Sequence, residues 1–201
     1  MAFLFATRSS SFATSEMSRQ PAVVIIFSGL PGTGKTRLAE GIARKLGIPV
    51  FSVAWLLGAL ASFGVLERPD RGAMAYALLI NLVEHQLRLG QSAIVDGMMG
   101  SNRVRRRLRE LAELHGAAFT VIECVCSDAR LHRARIEARS DPVPGWPDPG
   151  WDHVVDVREH YEPWTDERLI LDSVQPYEEN LVVAERFARG LEDPAWPHDS
   201  E

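Results

Sequence analysis

The chain has 201 residues, a hydrophobic content of 46% and a formal net charge of −5. This length is enough for one domain with a substantial core, and the apolar content excludes disorder of the whole chain. The net acidity argues against sequence-independent binding of nucleic acid, which requires a basic surface. No apolar run reaches the roughly 20 residues that a membrane span requires.

Short apolar runs alternate with helical patterns along the chain. The runs predict strands at residues 22–28, 48–52, 92–96, 119–125 and 168–172. Helical spacing of apolar residues predicts helices at 35–46, 55–64, 73–89, 128–139 and 176–189, and another that begins after Ser101. This alternation predicts an α/β fold in three layers, with a five-stranded parallel sheet and helices on both faces.

Three informative positions follow strands of this predicted sheet. A glycine-rich turn follows the first strand, Ala54 follows the second, and Asp96 ends the third. Right-handed crossovers bring the carboxyl ends of parallel strands to one edge of a sheet, and ligands bind along that edge. We therefore expect these positions to lie close together.

Residues 29–36, GLPGTGKT, fit the phosphate-binding pattern G-x-x-x-x-G-K-[ST] between a predicted strand and a predicted helix. We expect the loop backbone and the helix N-terminus to hold the phosphates of ATP. Lys35 would reach the β- and γ-phosphates, and the Thr36 hydroxyl would ligate Mg²⁺. The predicted nucleotide-binding residues of this loop are Gly29, Leu30, Pro31, Gly32, Thr33, Gly34, Lys35 and Thr36.

Asp96 is the second residue of the predicted magnesium site. A carboxylate that ends a buried strand beside the phosphate loop is well placed to order Mg²⁺. A helix cap or a turn aspartate is the alternative interpretation of this residue.

The stretch HRARIEAR, residues 132–139, carries Arg135 and Arg139 on one helical face. Arginine matches the charge of a transferring phosphoryl group, so we expect both side chains to act in catalysis and Arg135 also to bind nucleotide. The alternative is a solvated helix paired with Glu137 and Asp141. The Pro- and Gly-rich loop at 141–151 favours function, because it predicts a small movable lid at about 127–160.

Two further features have both a functional and a structural interpretation. Trp146 and Trp151 lie in repeated Pro-Gly-Trp triplets, and they could wall a substrate or pack the loop onto the body. The stretch 101–110 has five arginines, of which Arg103 is nearest the ligand edge. A solvated helix face is the alternative to a substrate or nucleic-acid contact there.

Cys124 and Cys126 lie two residues apart in an apolar run, and same-face positions this close on a strand have poor disulfide geometry. They predict free thiols in a reducing, cytoplasmic compartment. Residues 1–20 and 193–201 are predicted to be tails that flank a single domain at residues 21–192.

Together these residues resemble the P-loop small-molecule kinases of the chloramphenicol-phosphotransferase and zeta-toxin type, a group often labelled AAA-family ATPase. The resemblance covers about residues 22–190 and is carried by GLPGTGKT, the pair Arg135 and Arg139, and Asp96. It implies ATP- and Mg²⁺-dependent transfer of the γ-phosphate to a hydroxyl of a small molecule, such as an antibiotic, a nucleoside or a sugar derivative. The implied catalytic residues are Lys35, Asp96, Arg135 and Arg139.

The resemblance also implies where the other ligand groups bind. The loop at residues 173–176 would lie on the adenine side of the nucleotide. The acceptor would bind near Ala54, Trp55, Gly97, Met98, Arg103 and Trp146.

One position departs from this group of kinases. Its members usually carry an aspartate just after the second strand, in a stretch resembling S-x-D-W-L, where the carboxylate accepts or orients the proton of the acceptor hydroxyl. This chain has FSVAWLLGAL there, and Ala54 cannot act as a base. Another acid, such as Asp96 or the more distant Asp70, could replace the aspartate. Otherwise transfer is lost and nucleotide binding kept, or the alanine is an engineered change.

Two other functions therefore remain open at this point. One is a nucleotide-binding regulatory ATPase with no small acceptor, which the absence of a base at residue 54 would suit. The other is a polynucleotide 5′-hydroxyl kinase, which only the arginines of residues 103–109 support.

Overall fold

A computed structural model of the chain describes residues 21–139, 143–147 and 150–191. The predicted tails, residues 1–20 and 193–201, lie outside the described residues, and so does Asp141. Among the described residues, no helix has both the length and the apolar character needed to cross a membrane.

Five strands and seven α-helices follow one another along the described chain. The strands are β1 (Val23–Ser28), β2 (Val50–Ser52), β3 (Ala93–Asp96), β4 (Ala118–Val125) and β5 (Leu169–Asp172). The helices are α1 (Lys35–Leu46), α2 (Val53–Leu60), α3 (Arg71–Arg88), α4 (Asn102–Leu114), α5 (Ala129–Glu137), α6 (Trp151–Glu159) and α7 (Tyr177–Ala188).

The strands form one parallel sheet in the order β2-β3-β1-β4-β5. The predicted three-layer α/β fold with five parallel strands is confirmed. The chain moves from β1 to one side of the sheet for β2 and β3, and then to the other side for β4 and β5. The strand order thus reverses at the carboxyl end of β1, which is where ligands bind in open sheets of this kind.

Strand β1 is buried on both faces, and this explains its continuous apolar run. Val24 and Ile26 contribute to a core that includes side chains of α3 and α4. Ile25 and Phe27 contribute to a second core on the other face, where α1 and α7 pack. The four side chains are at most 1% exposed.

Helices α2 and α6 differ most from the prediction, and the other predicted helix bounds agree with the structure to within two residues. Helix α2 begins two residues earlier than expected, at Val53, and it continues into a single 3-10 turn at Ala61–Phe63. Helix α6 was not predicted, because the residues after the Pro- and Gly-rich loop carry little amphipathic signal. Of its side chains Val154 is the buried one, and a single buried residue gives no helical periodicity.

Candidate active site

The glycine-rich loop joins β1 to α1 at the point where the strand order reverses. Gly29 has φ +132°, and a Cβ at this position would lie 2.1 Å from the carbonyl oxygen of Cys124 on β4. No side chain fits so close to a backbone oxygen, so glycine is required where the loop leaves the strand. The loop then ends at Gly34, the residue before α1, which has φ +82°.

The side chains of the loop converge on one carbonyl oxygen. Thr33 Oγ1 donates to the oxygen of Leu30 over 2.8 Å, and Lys35 Nζ donates to the same oxygen over 3.3 Å. Burial lowers the pKa of Lys35 below its ordinary value of 10.5, while the negative charge of Asp96 acts in the opposite direction. A bound phosphate would give this ammonium group a stronger partner than the carbonyl that it contacts here.

Asp96 is buried, and only one of its two carboxylate oxygens has hydrogen-bond partners. Its Oδ2 accepts hydrogen bonds from Thr36 Oγ1 on α1 and Ser52 Oγ at the end of β2, both over 2.9 Å. Its Oδ1 is buried without a hydrogen-bond partner. A carboxylate that is 2% exposed and has one unpartnered oxygen is costly unless a cation completes it. The three oxygens of Thr36, Ser52 and Asp96 therefore suit Mg²⁺, which prefers oxygen ligands.

A cleft of about 210 Å³ opens beside this oxygen cluster. It is lined by Thr36, Glu40, Val50, Ser52, Trp55 and Asp96. Ala54 lies on the first turn of α2, between the lining residues Ser52 and Trp55. Ala54 itself is not among the lining residues, and its methyl group supplies no polar atom. Trp55 supplies an apolar wall and is half exposed.

Arg135, on α5, and Arg139, just after the end of this helix, have different surroundings. Arg135 donates to both the side-chain oxygen and the backbone oxygen of Ser173, over 2.8 and 2.9 Å. Ser173 begins the loop after β5, so this arginine faces the predicted adenine side. The positive charge of Arg139 contributes to the lowered pKa of Lys35, so the two side chains are close enough for their charges to interact.

Trp146 packs the predicted lid segment onto α2, whereas Trp151 makes a contact within that segment. Trp146 contacts a small core that contains Leu57 of α2. The backbone approaches closely here, since a Cβ on Gly58 would lie 2.2 Å from the carbonyl oxygen of Pro144. Trp151 lies edge-on to the ring of His132. The lining of the cleft contains Trp55 but not Trp146.

The turn after β3 connects the sheet edge to the phosphate loop. The Gly29 N–H donates to the Met98 carbonyl oxygen over 3.4 Å, so Met98 is beside the loop. A Cβ on Gly97 would lie 2.8 Å from Cγ2 of Val53, which fixes the contact between this turn and α2. Met99 is fully buried in the core. Of the two methionines in this turn, Met98 is therefore beside the phosphate loop and Met99 belongs to the core.

The arginine-rich helix α4 has one arginine on its inner face. Arg105 is 3% exposed, and its guanidinium donates to the backbone oxygens of Met99, Glu162 and Pro163 over 2.6 to 3.0 Å. The guanidinium also lies 3.9 Å from the ring centroid of Trp164. Arg103 is exposed at the first turn of the helix. The stretch is therefore partly a core anchor and not a uniform basic surface.

The structure places three side chains at the site that the sequence did not indicate. Ser52 donates to Asp96, Glu40 lines the cleft one helical turn after Thr36, and His132 contacts the phosphate loop. The four-residue spacing of Thr36 and Glu40 on a helix could have indicated Glu40. The other two contacts join distant parts of the chain and leave no local pattern.

Both cysteines are free, as the spacing predicts. Burial raises the pKa of the Cys124 thiol to about 12, so this side chain is neutral and serves as a small apolar group of the core.

The sequence between residues 24 and 149 identifies the family of the chain. A family model described as an AAA domain, AAA_33, matches residues 24–149, which is more than half of the chain and includes the phosphate loop, Asp96 and both lid arginines. The chain belongs to the AAA_33 family. Two curated relatives are the uncharacterized proteins Rv2004c of Mycobacterium tuberculosis and Mb2027c of Mycobacterium bovis. Each is 30% identical over 61% of this chain, and the chain spans only 26% of their length.

Solved structures agree with this AAA_33 fold. A Chloroflexus aurantiacus protein matches with a TM-score of 0.67 at 23% identity, covering 87% of this chain and 100% of that one. A gluconokinase from Sinorhizobium meliloti matches with a TM-score of 0.63 at 18% identity, covering 85% and 93%. The Mycobacterium tuberculosis APS kinase CysC, in complex with AMPPNP and APS, matches with a TM-score of 0.57 at 18% identity, covering 84% and 98%. At these identities the matches show a P-loop kinase-like fold.

Proposed function

We propose that this AAA_33 protein is a kinase that transfers the γ-phosphate of ATP to a hydroxyl group of a small molecule. The observation that carries the proposal is the half-satisfied carboxylate of Asp96, held by Thr36 at the first turn after the phosphate loop and open to a cleft. The sugar kinases and APS kinase among the structural neighbours support the same reaction class. The chloramphenicol-phosphotransferase and zeta-toxin type is the finer assignment that the sequence motifs favour.

The residues of the loop would hold the nucleotide before transfer. The backbone between Gly29 and Thr36 forms the phosphate cradle, and Lys35 would exchange its contact with Leu30 for the β- and γ-phosphates. Thr36 and Asp96 would hold Mg²⁺, which when bound neutralises charge on the phosphate oxygens. The half-satisfied state of Asp96 fits this role, because a buried carboxylate without a cation lowers stability.

The two arginines of the lid would act at different parts of the nucleotide. Arg139, near Lys35, would stabilise the negative charge that spreads over the transferring phosphoryl group. Arg135, held by Ser173, would bind on the adenine side of the phosphates. Neither role requires a proton transfer, since guanidinium groups remain charged throughout.

The acceptor would bind in the cleft between α1 and α2. Its oxygen-rich floor and the Trp55 wall suit a molecule with hydroxyl groups and an apolar face, such as an antibiotic, a nucleoside or a sugar derivative. Ala54, beside the lining residue Trp55 in sequence, supplies no base, so we expect slow transfer that depends mainly on positioning and charge stabilisation.

A mass-spectrometric screen tests the proposal. The protein is incubated with Mg²⁺ and ATP against panels of hydroxylated antibiotics, nucleosides and sugars, with Lys35→Met as the inactive control. We expect one class to gain a single phosphoryl group with the wild-type chain and none with the variant. If ATP binds but no acceptor is modified, the kinase proposal is wrong and a nucleotide-binding regulatory ATPase becomes the better interpretation.

A further inference from the structure

The phosphate loop rests directly on the inner face of α5. Gly32, at φ +83°, would place a Cβ only 2.7 Å from Cδ1 of Ile136 and 3.2 Å from Cδ2 of His132. The loop is therefore packed against two successive turns of the same helix that carries Arg135. The face of α5 that carries Arg135 and the face that packs against Gly32 therefore belong to the same helix.

His132 is the polar group in this contact. It is 1% exposed, and its Nε2 lies 2.7 Å from the carbonyl oxygen of Pro31. A carbonyl oxygen can only accept, so Nε2 carries the proton in this bond. The two residues are separated by 101 positions in the sequence. A short bond between a buried ring and the loop backbone restricts the rotation of the Pro31–Gly32 peptide plane.

The orientation of this plane matters for anion binding. In a trans peptide the C=O and N–H groups point in opposite directions. When His132 holds the Pro31 carbonyl, the Gly32 N–H is directed away from α5. Backbone N–H groups that are fixed in this way form the anion-binding part of a phosphate loop. Because Pro31 has no N–H of its own, the Gly32 N–H is the next backbone donor of the loop after Leu30, and its direction matters for anion binding.

The same imidazole ring also contacts α6. The ring of Trp151, the first residue of α6, lies edge-on to His132 with centroids 5.3 Å apart and an interplanar angle of 87°. A single buried side chain thus touches the phosphate loop on one side and the start of α6 on the other.

We propose that His132 is a positioning residue that fixes the Gly32 N–H toward the phosphates and links the phosphate loop to α6 through Trp151. The proposal rests on the proposed nucleotide site and adds a residue outside the phosphate-binding motif. His132 does not touch the reacting atoms in this role. It acts through the backbone of Pro31 and Gly32.

Two substitutions separate the hydrogen bond from the shape of the side chain. His132→Phe keeps a ring against Gly32 and Trp151 but removes the donor, whereas His132→Gln keeps an N–H donor of similar reach and removes the ring. Arg133→Gln, on the exposed face of α5, is the matched control. The probes are Mg²⁺-AMPPNP and Mg²⁺-tripolyphosphate, which has no base or sugar, and binding is measured by calorimetry.

We expect His132→Phe to weaken both probes about tenfold, the usual effect of one lost buried hydrogen bond. His132→Gln should retain most of the affinity, and Arg133→Gln should bind like the wild type. Equal affinity of wild type and His132→Phe would overturn the proposal, and so would equal losses in the Phe and Gln variants. If the wild-type chain itself does not bind AMPPNP, the proposed nucleotide site is wrong, which is a separate result.

A measurement on the wild-type protein covers the case in which His132→Phe does not fold. Nitrogen NMR of ¹⁵N-histidine-labelled protein reports which ring nitrogen carries the proton. We expect His132 to carry it on Nε2, both with and without Mg²⁺-AMPPNP. A neutral ring with its proton on Nδ1 alone cannot donate to Pro31 and would refute the role.

Discussion

The hydroxyl of Thr36 donates to Oδ2 of Asp96 over 2.9 Å and joins the first turn of α1 to the end of β3. These residues lie 60 positions apart in the sequence, yet together they form the floor of the cleft. The opposite oxygen of Asp96 is buried without a partner. The relationship makes Asp96 the first residue to test.

We expect Asp96→Asn to weaken the Mg²⁺-dependent part of AMPPNP binding by roughly 10- to 100-fold, the usual effect of changing a group that holds a metal. The variant should be at least as stable as the wild type without nucleotide, because it removes a buried charge that lacks a full set of partners. Calorimetry with and without Mg²⁺ measures the first effect, and thermal unfolding measures the second. Asp70→Asn, at an exposed ion pair with Arg68, is the control. Retained Mg²⁺ dependence in Asp96→Asn would contradict the metal site.

Lys35 should make the stability of the nucleotide-free protein depend on pH. Its folded-state pKa is below the ordinary 10.5, chiefly because of burial, so between the two values the unfolded chain binds more protons at this side chain. Stability at this group therefore rises with pH through that interval. Lys35→Met should flatten the rise, which urea unfolding at several pH values would detect. Lys45→Met, at a surface ion pair with Glu185, should keep the wild-type slope. Equal slopes in wild type and Lys35→Met would contradict the burial of this charge.

Ala54→Asp should accelerate phosphoryl transfer to any acceptor that the screen identifies. A carboxylate on the first turn of α2, next to the lining residue Trp55, would be available to accept the hydroxyl proton, and general base catalysis contributes about a hundred- to ten-thousand-fold. The rate is measured under saturating Mg²⁺-ATP. The control is Ala59→Asp, which places the same group on the exposed side of α2. A rate that stays at the wild-type value in Ala54→Asp would show that the proton is handled elsewhere in the site.

The two lid arginines should differ in which kinetic constant they change. We expect Arg139→Gln to lower kcat by about a thousandfold, the scale of an arginine that stabilises phosphoryl transfer. Arg135→Gln should mainly raise the KM for ATP, because Arg135 is held at Ser173 on the predicted adenine side. Steady-state kinetics with varied ATP separates the constants. If Arg135→Gln instead lowers kcat and leaves the KM for ATP unchanged, Arg135 acts on the transferring phosphoryl group and the proposed division of roles is wrong.

Arg105 should be a stability residue and not a ligand residue. Arg105→Met leaves buried carbonyl oxygens without donors, and we expect a loss of roughly 3 kcal/mol in the free energy of unfolding. Arg106→Met, on the exposed side of α4, should change it by less than about 0.5 kcal/mol. Urea denaturation compares the two variants. Similar losses in both would mean that the bonds of Arg105 contribute little.

The sequence predicts the parts of this fold that follow from local patterns. The run at residues 22–28 indicates a strand buried on both faces, and the glycine pattern at residues 29–36 indicates the phosphate loop. Both follow from chain geometry over fewer than ten residues. The positions of the five strands could therefore be predicted to within two residues, and the binding edge of the sheet follows from them.

The remaining parts depend on contacts between distant segments. Ser52 could not be recognised as a site residue from the sequence, because its role depends on its hydrogen bond to Asp96 on the neighbouring strand β3. Arg105 stands three residues before Leu108, so its position on the buried face could have been recognised. The backbone oxygens that accept its hydrogen bonds belong to residues 162–163. These distant partners could not have been recognised from the sequence. The packing of Trp146 likewise depends on Gly58 in α2, where no local signal identifies the partner.

The bonds of Arg105 also anchor the chain that follows α6. The Glu162 N–H donates to the Gly100 carbonyl over 3.0 Å, and the Glu162 carboxylate accepts from the Asn102 N–H. With the bonds from Arg105, the chain that leaves α6 is fastened to the turn that follows β3. Residues 162–163 are therefore a fixed point of the chain between α6 and β5. The buried arginine thereby anchors the end of the segment that carries α5 and α6, although it is not part of the lining of the cleft.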